Sequence, residues 1–377
     1  MTPSMVGVVV PSYGPLDDVA AMLNGLVGPH VPADERPGRV VVVDDCFPGP
    51  VDASVLPDGV ELIRRERNGG FGAAVNTGLK RLEGASEHDR VGGAGSDTHR
   101  REERGAPDAH GDERGTAKDD REGDTGRDQH YREDATTVAP RIEYALVVNS
   151  DVRLPELFLR DLLTSASPWL PAVVGCRSED ESGRSGYAAR LFPTVGQQVV
   201  EWLVPLASLR HTDVLHRAVG HDLAAERASG VVPVEWVSGA LMLLPLAEVA
   251  AVGRFDESYF MYTEEVDLQG KLRAAGVPAV YAAHLRVTHA GGGSAGSEAR
   301  RRGWLTNARD LYARRHLNPW ALRAGLAGAT LVNLAWNTGR RAAGRDVHPV
   351  QTAAFEWGLL RAARRFRGAD GAGWGAS

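Results

Sequence analysis

Three carboxylates fall within four positions, Glu264, Glu265 and Asp267, inside the run Phe260-Met261-Tyr262-Thr263-Glu264-Glu265-Val266-Asp267-Leu268. On a helix Glu264 and Asp267 are i, i+3 neighbours, so their repulsion calls for a cation, a basic side chain or a substrate proton. The aromatic flank favours a chemical role, and a solvated acidic helix N-terminus is the alternative. Asn149-Ser150-Asp151 closes an apolar run and offers a hard oxygen ligand to Mg²⁺ or Mn²⁺, ions that bind through one or two carboxylates plus substrate phosphates. A lone carboxylate there also suits a plain turn. His289, ahead of Gly291-Gly292-Gly293, is a candidate ligand through one ring nitrogen, or an ordinary surface or core histidine.

Asp44 and Asp45 follow a second apolar run, where a carboxylate accepts hydrogen bonds from a nucleobase or ribose, or simply satisfies a turn. Asn68-Gly69-Gly70-Phe71-Gly72-Ala73-Ala74-Val75-Asn76-Thr77-Gly78 reads as a Gly-rich turn passing into a helix, which lets backbone N–H groups approach a diphosphate. A dinucleotide-binding oxidoreductase is one such reading. Its ribose-binding acid, expected roughly 20 residues further on, would fall in a charged tract instead of at a strand end.

The elements that must hold these groups read as α/β. Continuous Val runs at residues 6–10 and 40–43 suit strands covered on both faces, with a helix at 16–26 between them. Further strands are expected at 60–64, 144–148, 172–175, 235–244 and 279–282, and helices at 157–166, 246–252 and within 255–272. From 84 to 140 Asp, Glu, Arg, Gly, Ser and His dominate, and such a segment cannot bury enough surface to offset its ordering entropy, so a disordered insertion is expected there. The stretch from 176 to 231 gives little signal.

The 377 residues carry a net charge of −6, unevenly placed: from residue 296 onward there are 14 Arg, no Lys and 5 acidic residues, about +9, which leaves about −15 for the rest. This tail reads as helical, with an apolar stretch at 320–336 that Arg323 and Asn333 interrupt, a better interfacial helix than a spanning one. Cys46 and Cys176 read as buried thiols of a reducing compartment, and the N-terminus lacks the pattern of a secretory leader. No nucleic-acid motif stands out.

Taken in order, these segments resemble the family 2 glycosyltransferases, in particular their rhamnosyltransferase-like branch. The resemblance covers residues 6–294 apart from the insertion. It implies a GT-A fold, Rossmann-like with a mostly parallel central sheet, over residues 1–295, and a basic helical C-terminal extension over 296–377 that meets the membrane. Pro11, Ser12, Tyr13, Asp44, Asp45, Asn68, Gly69, Gly70, Phe71, Gly72, Asn76 and Asn149 would line the nucleotide-sugar site. Asn149-Ser150-Asp151 is similar to the D-x-D motif with Asn in place of its first acid, and Asp151 and His289 would hold a divalent metal, Mn²⁺ or Mg²⁺. Trp236, Ser238 and Gly239 would flank the acceptor.

Glu265 stands where the family's base is usually Asp, with Glu264 and Asp267 beside it as further catalytic candidates. The resemblance implies inverting transfer of a sugar, best guess L-rhamnose from dTDP-rhamnose, to a glycan or polyprenyl-diphosphate-linked acceptor in surface-glycan synthesis. The expected location is the cytoplasm, peripheral on the inner face of the plasma membrane, with Arg300 to Arg302, Arg314, Arg315, Arg340 and Arg341 facing anionic headgroups. The departures at Asn149 and Glu265 leave a non-catalytic module of the same fold as the alternative.

Overall fold

The computed structural model describes residues 1–92, 141–289 and 297–367, without side chains for 85–92. The N-terminal part alternates strand and helix: β1 (Val6–Ser12), α1 (Asp17–Val27), β2 (Arg39–Asp44), β3 (Val60–Arg64), α2 (Phe71–Gly92) and β4 (Tyr144–Val148). Then come β5 (Val152–Arg153), α3 (Phe158–Ala166), β6 (Val173–Glu179), β7 (Ala189–Arg190), α4 (Val195–Trp202), α5 (Asp213–Ala218) and α6 (Leu223–Glu226). The second half adds β8 (Val231–Val234), β9 (Trp236–Val237), β10 (Leu241–Pro245), α7 (Leu246–Ala251), α8 (Glu264–Ala274) and β11 (Ala279–His289). Three helices close the chain, α9 (Glu298–His316), α10 (Pro319–Ala342) and α11 (Pro349–Arg365).

Among the described residues nine strands form one sheet in the order β3-β2-β1-β4-β10-β6-β11-β5, with β8 also on β11. β1, β2, β3, β4, β6 and β11 run one way, and β10, β5 and β8 run against them. The architecture is thus the expected α/β class with a mainly parallel sheet and C-terminal helices. Continuous Val runs follow from burial on both faces: Val9, Val41 and Val43 pack with Leu79 of α2 and Leu268 of α8, whereas Val8, Val10, Val40 and Val42 pack with Leu23 of α1 and Leu162 of α3. Strand order reverses between β1 and β4, which opens a crevice at their carboxyl ends.

The strand expected over 235–244 is two strands, β9 and β10, in different sheets, since β9 pairs with β7. The strand expected at 279–282 runs on to His289. The charged insertion expected from 84 begins inside α2, which continues to Gly92, and 93–140 lie outside the described residues, as does the Gly-rich run after His289. The tail expected as an extension belongs to the same compact unit as the sheet, residues 1–86 with 140–377. Leu311 and Tyr312 of α9 pack with Trp236, Tyr259 and Val266, and Trp202 of α4 donates its indole N–H to Thr330 of α10 at 3.0 Å.

α10 buries Leu322, Leu326 and Ala329 together with three polar side chains. Thr330, Asn333 and Asn337 are buried, and Asn333 bonds Val204 N–H and the Trp202 carbonyl, while Trp320, Leu331, Val332 and Trp336 face outward, Trp320 at 68% exposure. Among the described residues no helix is long and apolar enough to cross a membrane.

Candidate active site

The β1/β4 crevice holds a cavity of about 220 Å³. The ends of β1 and β4 supply Pro11, Ser12, Tyr13, Asn149, Ser150 and Asp151 to its wall; Asp45, Asn68, Gly70, Phe71 and Ala74 come from the segment between β2 and α2. Phe260, Met261 and Tyr262 before α8, His289, and Arg300 and Trp304 of α9 complete it. Trp304 lies 5.1 Å from Phe260 between ring centroids, so the tail helix forms one side of the cavity.

The Gly-rich turn is held from behind. Asp45 accepts the backbone N–H of Gly69 and, at 2.7 Å, that of Gly70, and pairs with Arg65. Burial raises the Asp45 pKa, opposed by the Gly69, Arg65 and Gly70 contacts. Gly70 has φ +83°, and a β-carbon there would collide with the Phe260 carbonyl, which accepts the Phe71 N–H at 3.2 Å. Only glycine fits that approach. The first turn of α2 is left with N–H groups near the cavity, a site for anionic groups.

His289 lies beside Asp151, Nε2 to Oδ1 at 3.2 Å, because β11 pairs with β5 in the register His289↔Val152. An imidazole and a carboxylate are a fitting pair of protein ligands for a divalent ion whose other ligands are phosphate oxygens and water. Among the described residues no cluster of three or more His, Cys, Asp or Glu is placed to hold a metal by itself.

A second cavity, of about 310 Å³, is lined by Glu265, Trp236, Ser238, Thr263 and, from α4, Gln198 and Glu201. Arg190, Arg301, Arg309 and Tyr312 also reach it, and Tyr262 lines both cavities. Tyr262 and Thr263 have φ of +70° and +75°, a left-handed pair uncommon outside glycine, found where a site fixes its backbone. Gly239 fits between Phe71 of the first cavity and Glu265 of the second, 3.5 and 3.7 Å from the position of a β-carbon. Among the described residues Glu265 Oε2 is buried without a hydrogen-bond partner. Burial raises its pKa, moderated by backbone N–H groups and by Arg190. Glu264, buried against Gly72, is raised well above the usual carboxylate range by burial and by the charge of Glu265.

Several expected site residues serve the scaffold. Asp44 accepts the Phe47 N–H at 2.9 Å and pairs with Arg64, the turn role left open by the sequence. Gly69 gives its N–H to Asp45, and Gly72 packs on Phe255 and Glu264. Asn76 clamps Phe255 through both backbone groups and Glu257 through its carboxylate. Asp267 lines neither cavity; it is ion-paired with Lys271 and in contact with His316 Nε2, at 2.6 Å each. Glu264 lines neither cavity.

The tail arginines expected at headgroups divide. Arg300 and Arg301 enter the two cavities; Arg302 pairs with Glu356, Arg314 with Asp310 and Arg315 with Asp256. Only Arg340 and Arg341 of that set stay on the outer end of α10. Gln198, Arg190, Arg309 and Trp304 carried no local motif, whereas Tyr262 stood in the aromatic run before Glu264.

An α/β sheet with a Gly-rich turn and carboxylates at its carboxyl edge has the arrangement in which doubly wound sheets bind their ligands. No known family profile matches the chain. Its curated relatives are rhamnosyltransferases. It is 32% identical over 151 residues to the N-acetylglucosaminyl-diphospho-decaprenol L-rhamnosyltransferase of Mycobacterium tuberculosis, a match covering 39% of this chain and 47% of that protein. It is 28% identical over 115 residues to rhamnosyltransferase WbbL of Escherichia coli, 30% of this chain and 39% of that protein. The chain therefore matches less than half the length of these relatives. Among solved structures it is similar to the mannosyltransferase PcManGT from Pyrobaculum calidifontis in complex with GDP-Man and Mn²⁺, at 18% identity over 96% of this chain and 86% of that one, TM-score 0.43. S. aureus TarS gives 13% identity over 95% and 80%, TM-score 0.42.

Proposed function

We propose that the protein is an inverting GT-A glycosyltransferase of family 2 that moves a sugar, L-rhamnose from dTDP-rhamnose, to a polyprenyl-diphosphate-linked glycan in surface-glycan synthesis. The observation that carries this reading is the buried, unpartnered carboxylate oxygen of Glu265 in the second cavity, with Tyr262 shared between that cavity and the first. The nucleotide-sugar occupies the first cavity, its diphosphate against the N-terminus of α2. The acceptor occupies the second, beside Trp236 and Ser238.

Glu265 takes the proton of the acceptor hydroxyl; that oxygen bonds to the anomeric carbon from the face opposite the nucleotide, and the sugar–phosphate bond breaks with its electron pair leaving on the nucleoside diphosphate. General-base action of this kind contributes about 10²- to 10⁴-fold. Asp151 and His289 would hold a divalent ion, Mn²⁺ or Mg²⁺, which when bound supplies positive charge to the leaving diphosphate. The outward apolar residues of α10, with Arg340 and Arg341 at its end, suit peripheral attachment to the anionic inner face of the plasma membrane.

The test is a transfer assay with dTDP-rhamnose and a short-chain prenyl-diphosphate N-acetylglucosamine, comparing wild type with Glu265→Gln. Loss of turnover by about 10²-fold or more with donor affinity retained is expected. Unchanged turnover in the variant would remove Glu265 as the base, and donor binding without transfer in wild type would favour a non-catalytic module.

A further inference from the structure

Gln198 is a buried amide without a partner among the described residues. The residue lines the second cavity and is 5% exposed, and its Nε2 and Oε1, both closed off from solvent, have no hydrogen-bond partner among the described residues. A buried amide in that state is costly, and native interiors hold few such groups. Nothing suggests that the side chain is left over from a loosely packed segment. α4 opens with a reciprocal cap, Thr194 Oγ1 accepting the Gln197 N–H while Gln197 Oε1 accepts the Thr194 N–H. Its far end is tied to α10 through Trp202. Two arginines of the wall are also fixed: Arg190 is anchored by its Nε to the Tyr187 carbonyl at 3.0 Å and lies over the Trp236 ring, and Arg309 pairs with Glu201, while Leu191, Val219 and Leu305 supply apolar surface.

We propose that Gln198 is the residue by which the second cavity recognises the acceptor sugar. Turned toward the cavity, its amide would present one acceptor and an N–H donor side by side, which fits a neutral substituent that itself offers a donor and an acceptor, a hydroxyl or an acetamido group. This deepens the transferase reading and rests on it for the identity of the ligand as an acceptor. Gln198 is on a different element from Glu265, so recognition and proton removal are separable: a site built to hydrogen-bond a substrate group discriminates against its loss without touching the reacting atoms.

The experiment measures direct binding, apart from turnover. Farnesyl-diphosphate N-acetylglucosamine and farnesyl-diphosphate glucose are titrated by calorimetry into wild type and Gln198→Met, with dTDP-rhamnose affinity and the melting temperature as companions. Methionine keeps the side-chain length and removes both unmet polar atoms, so the melting temperature should hold or rise while acceptor affinity falls about tenfold or more. A loss confined to the acetamido probe assigns that group, and a loss on both assigns a hydroxyl. Equal affinity in wild type and variant, no binding of either probe to wild type, or a parallel fall in melting temperature and dTDP-rhamnose affinity would each overturn the proposal. Acceptor binding that depends on Gln198 without any sugar transfer leaves the recognition standing and rejects the transferase reading instead.

Discussion

The backbone of Gly70 rests against the carbonyl of Phe260, joining the Gly-rich turn of the first cavity to the loop that leads into the Glu264–Glu265 helix. Gly70→Ala places a β-carbon against that oxygen at φ +83°. The strain is on the order of 1–3 kcal/mol. Calorimetry and thermal melting should show a lowered midpoint and weaker nucleotide-sugar binding together; a fall in stability alone would mean that the turn does not touch the donor.

Burial raises the pKa of Glu265 above its ordinary 4.5, and a base must be ionised to work. The acid limb of kcat/KM should therefore lie above the usual glutamate range, activity falling as pH drops through it. Stability runs the other way: Glu264 and Glu265 bind protons more tightly folded than unfolded, so their contribution is complete below the unfolded pKa and is lost as pH rises through the folded one. Glu264→Gln should raise the melting midpoint more at pH 8 than at pH 4, and an equal change at both would contradict the assignment.

Asp151→Ala and His289→Ala should each weaken the Mn²⁺ dependence of nucleotide-sugar binding. Chelator titration checks this: wild-type affinity drops on metal removal, and the variants start from the lower value.

Asp267 was a catalytic candidate by its spacing, and the structure commits it to Lys271 and His316. Asp267→Asn removes the carboxylate that Lys271 and His316 contact, and because both partners are about a third exposed the loss in denaturant unfolding should be about 1 kcal/mol. Turnover per folded molecule should stay near wild type, whereas a variant that folds fully and fails to turn over would return Asp267 to the chemistry.

Trp320→Ser with Trp336→Ser should reduce sedimentation with anionic vesicles while leaving folding unchanged, since both side chains are outward. Arg340 and Arg341 should add a salt-sensitive part at about 1 kcal/mol per basic residue. Retention unchanged by all four substitutions would argue against this face.

Much of the sheet half was legible because burial on both faces leaves continuous Val runs, and because Asp45, Asn149 and Asp151 follow strands directly. Residues 176–231 were not, since β7 and α4 to α6 are two to eight residues long and gain their order from α10 and β9. Sequence also could not show that Asp44, Asn76 and Asp267 have protein partners: a carboxylate or amide at a motif position looks the same whether it faces a ligand or a backbone N–H. The basic tail misled for a related reason, as charge counts do not say that Arg302, Arg314 and Arg315 turn inward to Glu356, Asp310 and Asp256.

Arg300 and Arg301 are consecutive on α9, yet one reaches each cavity. A single residue inserted or deleted between them and the packed Leu311 and Tyr312 would rotate both by about 100° about the helix axis relative to the sheet. Divergence of this protein should therefore proceed by substitution within α9 and not by changes of its length, and comparison of homologous chains should find α9 free of gaps even where the surrounding loops vary.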